Sequence, residues 1–230
     1  MFKARFTLNT YLTSSPAIFI IFFFTYFFIF GVFDLSDRSL TMLKTASILG
    51  VISGVWSVIS ILIAISVSPW FSWVSNALSD LGVSPAALIF NQGLIVSGFL
   101  ALIFALSHFK IVKSSLGGRV GNVFLVLAAV SLIGIGVFTE DFTPHHFIFS
   151  VLFFVFVLFA FLSYGAGFLF EMNCKWLGVY CIVFGVIGII AWALPVWDGV
   201  AIPEAITAFP AALFIAILGL KALLFYNRRI

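Results

Sequence analysis

Residues 68–82 read SPWFSWVSNALSDLG, the most polar stretch of a chain that is apolar almost throughout. Ser68 and Pro69 have the form of a helix N-cap followed by a proline at the first helical position, and Gly82 has the form of a C-terminal stop. The roughly thirteen residues between them are too few to cross a bilayer, which takes about twenty. The stretch is therefore expected to form a short helix lying at the membrane surface. On such a helix Trp73, Asn76 and Asp80 recur at i, i+3 and i+7 and share one face. Ser72, Ser75 and Ser79 widen that face into a polar stripe, and Trp70 and Trp73 suit the half-wet interface.

The rest of the chain is membrane-like. Of its 230 residues 63% are hydrophobic, 31 are Phe and only 8% are charged, whereas a soluble domain carries about 25% charged residues. Seven apolar stretches run over about 16–33, 46–67, 85–107, 120–138, 143–170, 176–194 and 203–226. The expected fold is all-α, a seven-span transmembrane helical bundle with one short interfacial helix between spans 2 and 3. Residues 1–45 form an N-terminal extra span and its cytoplasmic loop, and residues 46–230 form a six-span core. Span 1 is nearly all Phe and Ile without small residues, which places it at a lipid-facing edge. It is too long, and too rich in Phe, for a cleavable signal peptide. Cys174 and Cys181, one beside a short loop and one within a span, do not form a disulfide framework.

Charge sets the orientation. With seven spans, nine of the eleven basic residues fall on one side: Arg38, Lys44, Lys110, Lys113, Arg119, Lys175, Lys221, Arg228 and Arg229. Only Lys3 and Arg5 fall on the other. The excess of cations marks the cytoplasmic side, which puts the N-terminus outside and the C-terminus in the cytoplasm of a multi-pass plasma-membrane protein. The net charge of +3 is thus an orientation signal and does not point to nucleic acid.

The acidic residues sort the opposite way. Asp80, Glu140, Asp141, Asp198 and Glu204 fall on the outer face together with His145 and His146, delivered by three loops far apart in sequence. His145 and His146 open a helix behind Thr143 and Pro144, where the positive end of the helix dipole favours the neutral imidazole that binds metals or accepts protons. Adjacent helical residues point about 100° apart, so only one of the two can face the bundle. Asp80, Glu140, His146 and Glu204 are the candidate catalytic residues. Asp80, Glu140 and His146 are the candidate ligands of one divalent metal ion, and Ser79, Asn76 and Asn91 are candidate supporting groups. Each also has a plain structural reading: a solvated turn for Glu140 and Asp141, a helix-start charge for Glu204, interhelical bonds for Asn76 and Asn91. None of HExxH, GxSxG, a Walker sequence or a paired CxxC occurs.

WVSNALSDLGVSP, followed by IFNQGLIVSG and later by GVFTEDFTPHH, resembles the family of short polytopic membrane proteins catalogued as domain of unknown function 998. The resemblance runs over about 46–224 and makes span 1 an addition to the usual six. It implies Ser79, Asp80, Gly82, Asn91, Gly93, Gly98, Glu140, one histidine and Glu204 as the matching positions. Spacing to Phe153 and Phe154 makes His146 the matching histidine. Ala205 stands where the family has a basic residue. The resemblance implies a fold and site positions, and no activity.

Three functions fit these expectations. The first is a metal-dependent hydrolase or transferase acting on lipid head groups at the extracytoplasmic face. The second is a non-catalytic accessory subunit buried among other membrane subunits, for instance of a respiratory complex. The third, a small transporter, is weakened by the scarcity of ionisable residues at mid-depth of the spans.

Overall fold

The structure is a computed structural model that describes residues 40–228. The expected span over 16–33 lies outside the described residues. Among the described residues six long helices are present: α1 Leu40–Ser66, α2 Ala87–Val112, α3 Leu116–Val137, α4 His145–Ala166, α5 Lys175–Ala193 and α6 Ala201–Asn227. Each is long and apolar enough to cross a membrane. Their limits fall within a few residues of the apolar stretches, apart from α1, which starts six residues early. A π turn, Gly167–Glu171, extends α4. Glu171 at its end accepts hydrogen bonds from the Leu116 and Gly117 amides (2.5 and 3.1 Å), supplying partners to the open N-terminus of α3. The compact unit holding the bundle is Met42–Ile230.

Within it, α2 packs on α3, α3 on α4, α4 on α5 and α5 on α6, and α6 also meets α2 and α4. α1 lies against both α2 and α6, with Gly50 on the Phe104 ring and Gly54 on the Ala212 backbone. Its inward face is small and hydroxylated (Ser47, Gly50, Ser53, Gly54, Ser57, Ser60), while its outward face carries Ile48, Ile52, Trp56, Ile59 and Ile63. Lipid offers bulky apolar side chains the same environment as a core would, so packing between spans selects small residues that let backbones approach. The Ser53 hydroxyl donates to Ser97 O of α2 (2.8 Å). Nearer the basic end, Asn122 of α3 donates to Ala105 O of α2 (2.9 Å) and accepts from the Tyr164 hydroxyl of α4 (2.8 Å). All three partners are buried, and the network ties three helices at one level.

The segment 68–82 departs from expectation. It is not an α-helix. Ser68 to Ala77 is a run of turns, and only Leu78–Val83 is helical, as a 3-10 helix. The carbonyls a helix would use internally are committed elsewhere: Val74 O accepts from Gly199 N (2.7 Å) and Asn76 O from Ala201 N (2.8 Å), both in the α5–α6 connection. Local side chains compete as well. Asn76 Oδ1 accepts from Ser72 N (2.9 Å), and Asp80 Oδ2 accepts from Ala77 N (3.1 Å), the behaviour that favours turns over helix for Asn and Asp. Gly82 is not a stop after a helix but lies inside the 3-10 turn, where a Cβ would come within 2.6 Å of Asn91 Oδ1.

The described charges separate by end. Lys44, Lys110, Lys113, Arg119, Lys175, Lys221 and Arg228 lie at the helix ends around the α2–α3 and α4–α5 connections, whereas Asp80, Glu140, Asp141, Asp198 and Glu204 lie at the other end. Glu171 is the one described carboxylate at the basic end.

Candidate functional site

The 3-10 turn is the centre of the acidic end. Two carboxylates from distant helices meet it on successive residues. Glu204, on the first turn of α6 and buried, accepts from the Leu78 amide at 2.6 Å. Glu140, in the α3–α4 connection, accepts from the Ser79 hydroxyl at 2.6 Å. Asp80 turns the other way, accepting from Asn76 Nδ2 at 2.7 Å as well as from the Ala77 amide. Asn91 lies beneath on α2 and donates to Gly82 O at 2.8 Å, fastening the turn to the bundle. Asp80 and Glu140 both lie within electrostatic reach of Glu204, so three carboxylates surround one short turn.

Of the two histidines, His146 faces the bundle and is buried. His145 is exposed and stacks on Phe138 with ring centroids 5.3 Å apart. His146 Nδ1 lies 2.7 Å from Phe138 O. A carbonyl only accepts, so Nδ1 carries a proton, and in the neutral ring Nε2 is left as the acceptor for the Ser150 hydroxyl at 3.3 Å. Ser150 escaped the sequence reading. Its signal was its position one helical turn after His146, on the same face.

Ser79, Ser150 and Glu204 share one further property: all three line a cavity of about 110 Å³ inside the bundle. Its walls come from α1, α2, α3, α4 and α6 and are mostly apolar, including Phe90, Leu94, Leu132, Phe153 and Ile215. Ser97, also in the wall, is buried, and its hydroxyl has no hydrogen-bond partner among the described residues. The hydroxyl paired with Glu140 therefore lies in the wall of a chamber that is mostly apolar.

The arrangement does not assemble the expected metal ligands into one set. Among the described residues no group of three or more His, Cys, Asp or Glu side chains is placed to hold a metal ion. Asp80 is engaged by Asn76, Glu140 by Ser79, and His146 by Phe138 and Ser150. Asp141 and Asp198 are exposed. The two cysteines are free thiols.

Comparison with curated proteins and with solved structures gave no match. The family profile described as Protein of unknown function (DUF998) matches residues 51–221. That span begins in α1, ends near the end of α6, and takes in the turn with both of its carboxylates, so this multi-pass membrane protein belongs to the DUF998 family.

Proposed function

We propose that the protein is a membrane-embedded hydrolase or transferase acting on the polar head of an amphiphile whose apolar part enters the central cavity. The observation that carries this reading is the Ser79–Glu140 pair: a buried hydroxyl, 2.6 Å from a carboxylate, in the wall of an apolar chamber. A serine is a weak nucleophile until an adjacent base can take its proton. Glu140 would receive that proton as Ser79 Oγ attacks an ester or phosphodiester centre, and would return it to the departing alcohol. Water in a hydrolase, or a second alcohol in a transferase, would then reverse the sequence to free Ser79. Glu204 and Asn91 position the turn that carries Ser79.

The test uses the full chain in proteoliposomes doped with amphiphiles bearing labelled heads, one series ester-linked and one phosphodiester-linked. Wild type is expected to release or transfer the head of one series. Ser79→Ala and Glu140→Gln are expected to lower that rate about 10²–10⁴-fold, with the exposed Asp141→Asn unchanged. Equal turnover by wild type and Ser79→Ala would overturn the assignment. Absence of turnover, with reproducible co-purification of other membrane proteins, would favour the accessory-subunit reading.

The same reading places the acidic end outside the cell and the basic end in the cytoplasm of a plasma-membrane protein. In a background carrying Cys174→Ser, Asp198→Cys is expected to react with an impermeant maleimide on intact cells, and Ser114→Cys only after permeabilisation. The reverse pattern would invert the topology.

A further inference from the structure

Among the described residues five serines line the central cavity: Ser53, Ser57, Ser79, Ser97 and Ser150. Their hydroxyls differ in what they face. Ser53 donates to Ser97 O at 2.8 Å and Ser57 to Gly54 O at 3.0 Å, and Ser97 has no hydrogen-bond partner among the described residues. A peptide carbonyl does not take a proton from a hydroxyl, so none of these three has a base. Ser79 faces the Glu140 carboxylate, and Ser150 faces an imidazole.

Ser150 reaches that imidazole by turning away from the usual partner of a serine inside a helix. Ser47, Ser60 and Ser131 each donate to the carbonyl four residues before, at 2.8, 2.7 and 2.9 Å. Ser150 points instead to the ring of His146, one turn earlier on α4, with Oγ 3.3 Å from Nε2. Nδ1 of that ring is committed to Phe138 O at 2.7 Å, at the end of α3. The contact fixes the ring and leaves the Nε2 lone pair directed at Ser150. A hydroxyl, a base and a group that orients the base form the arrangement that activates a serine, and the first contact is often long before substrate binds. His146 is buried, whereas Ser150 is half-buried and in the cavity wall. An entering molecule therefore meets the hydroxyl with its base behind it. Phe153, Phe154 and Val157 of the same helix continue the wall as an apolar surface.

We propose that Ser150 is a second nucleophile of this cavity, with His146 as its base, and that it reacts with acyl or phosphoryl esters carrying an apolar tail. Ser150 Oγ bonds to the carbonyl carbon or the phosphorus while its proton passes to Nε2. The imidazolium then gives that proton to the departing group as the bond from that group to the same atom breaks. Phe138 O accepts from Nδ1–H in both charge states, so the ring keeps one orientation throughout. The pair shares no group with Ser79 and Glu140.

The full chain in detergent, treated with a long-chain alkyl fluorophosphonate and digested for peptide mass spectrometry, tests the proposal. In that reaction the serine oxygen bonds to phosphorus, and fluoride and the hydroxyl proton leave. Wild type is expected to carry the adduct on Ser150, and Ser79→Ala to keep it there. His146→Gln is expected to lower the initial rate at Ser150 about 10²–10⁴-fold and to leave the rate at Ser79 unchanged, a contrast within one molecule that a merely structural hydrogen bond would not produce. An adduct on Ser150 with none on Ser79 would uphold this pair and remove the Ser79 assignment, so the two readings fail separately. An adduct on Ser79 alone, or on neither serine, would overturn the proposal, as would equal rates at Ser150 in wild type and His146→Gln. Should His146→Gln fail to fold, the wild-type adduct and its survival in Ser79→Ala still decide the matter.

Discussion

Gly54→Ala is expected to destabilise the bundle by about 1–3 kcal/mol or more, the range for forcing an extra carbon into a packed core. A Cβ at Gly54 would sit 2.1 Å from Ala212 O, 2.9 Å from Ala216 Cβ and 3.1 Å from Ala212 C. Two of these three obstacles are backbone atoms of α6, so no side-chain rotation relieves the clash. α1 or α6 must move as a whole. Movement of α6 is opposed by its reciprocal contact nearer the basic end, where a Cβ on Gly219 would meet Ser47 O at 2.6 Å and Val51 N at 2.7 Å. Gly185 on α5 provides the contrast: the nearest atoms to its Cβ are side-chain carbons of Leu162 and Phe161 at 3.2 and 3.3 Å. There the helix propensity gained by replacing glycine, up to about 1 kcal/mol, offsets a mild contact. Unfolding in a denaturing-detergent titration should therefore separate the two variants, with Gly54→Ala well below wild type and Gly185→Ala close to it. Equal midpoints would show that α1 is not locked to α6 by backbone approach.

The six helices were legible because each is an apolar run of the right length, and burial within the bundle follows small residues, as the Gly and Ser stripe of α1 does. The segregation of charge was legible for the same reason: once the spans are counted, each loop is assigned an end. What the sequence misjudged was the conformation of 68–82. Its Ser-Pro start and Gly end have the chemistry of helix boundaries, yet the stretch is held by partners more than a hundred residues away, Gly199, Ala201 and Glu204. No local pattern reports such partners. The pairings within the site were hidden by the same fact. An α-helix would have grouped Asp80 with Trp73 and Asn76, whereas the 3-10 turn presents Leu78 N and Ser79 Oγ to the two incoming carboxylates and leaves Asp80 bonded to its own loop. Ser79 thus occupies the position that the sequence reading gave to Asp80.

The turn itself should depend on Glu204 as a hydrogen-bond acceptor and not as a charge, and two substitutions separate the roles. Glu204→Ala removes the acceptor of the Leu78 amide and enlarges the cavity beneath it. Leu78 is 5% exposed, so water is a poor substitute. Leaving a buried amide without its acceptor costs about 1–3 kcal/mol. Against this stands relief from the neighbouring Glu140 and Asp80 carboxylates. Both of those are half-buried, so solvent screens the repulsion, and the orphaned amide outweighs it. Glu204→Gln keeps an acceptor oxygen at nearly the same place and removes the charge, so it retains the bond and gains the relief. Hydrogen exchange of the Leu78 amide reads the difference directly. Exchange should quicken by roughly five- to a hundred-and-fifty-fold in the Ala variant, the factor that corresponds to about 1–3 kcal/mol, and should stay at the wild-type rate in the Gln variant. Loss of protection in both variants would make the charge the fastening element, and protection in both would release the turn from Glu204 altogether. The two outcomes bear on the chemistry as well, because the turn carries Ser79 on the residue next to Leu78. If the amide is held by the carbonyl-type oxygen alone, Glu204→Gln should leave the Ser79–Glu140 pair intact, and any fall in head-group turnover in that variant would then belong to the lost carboxylate at the cavity wall.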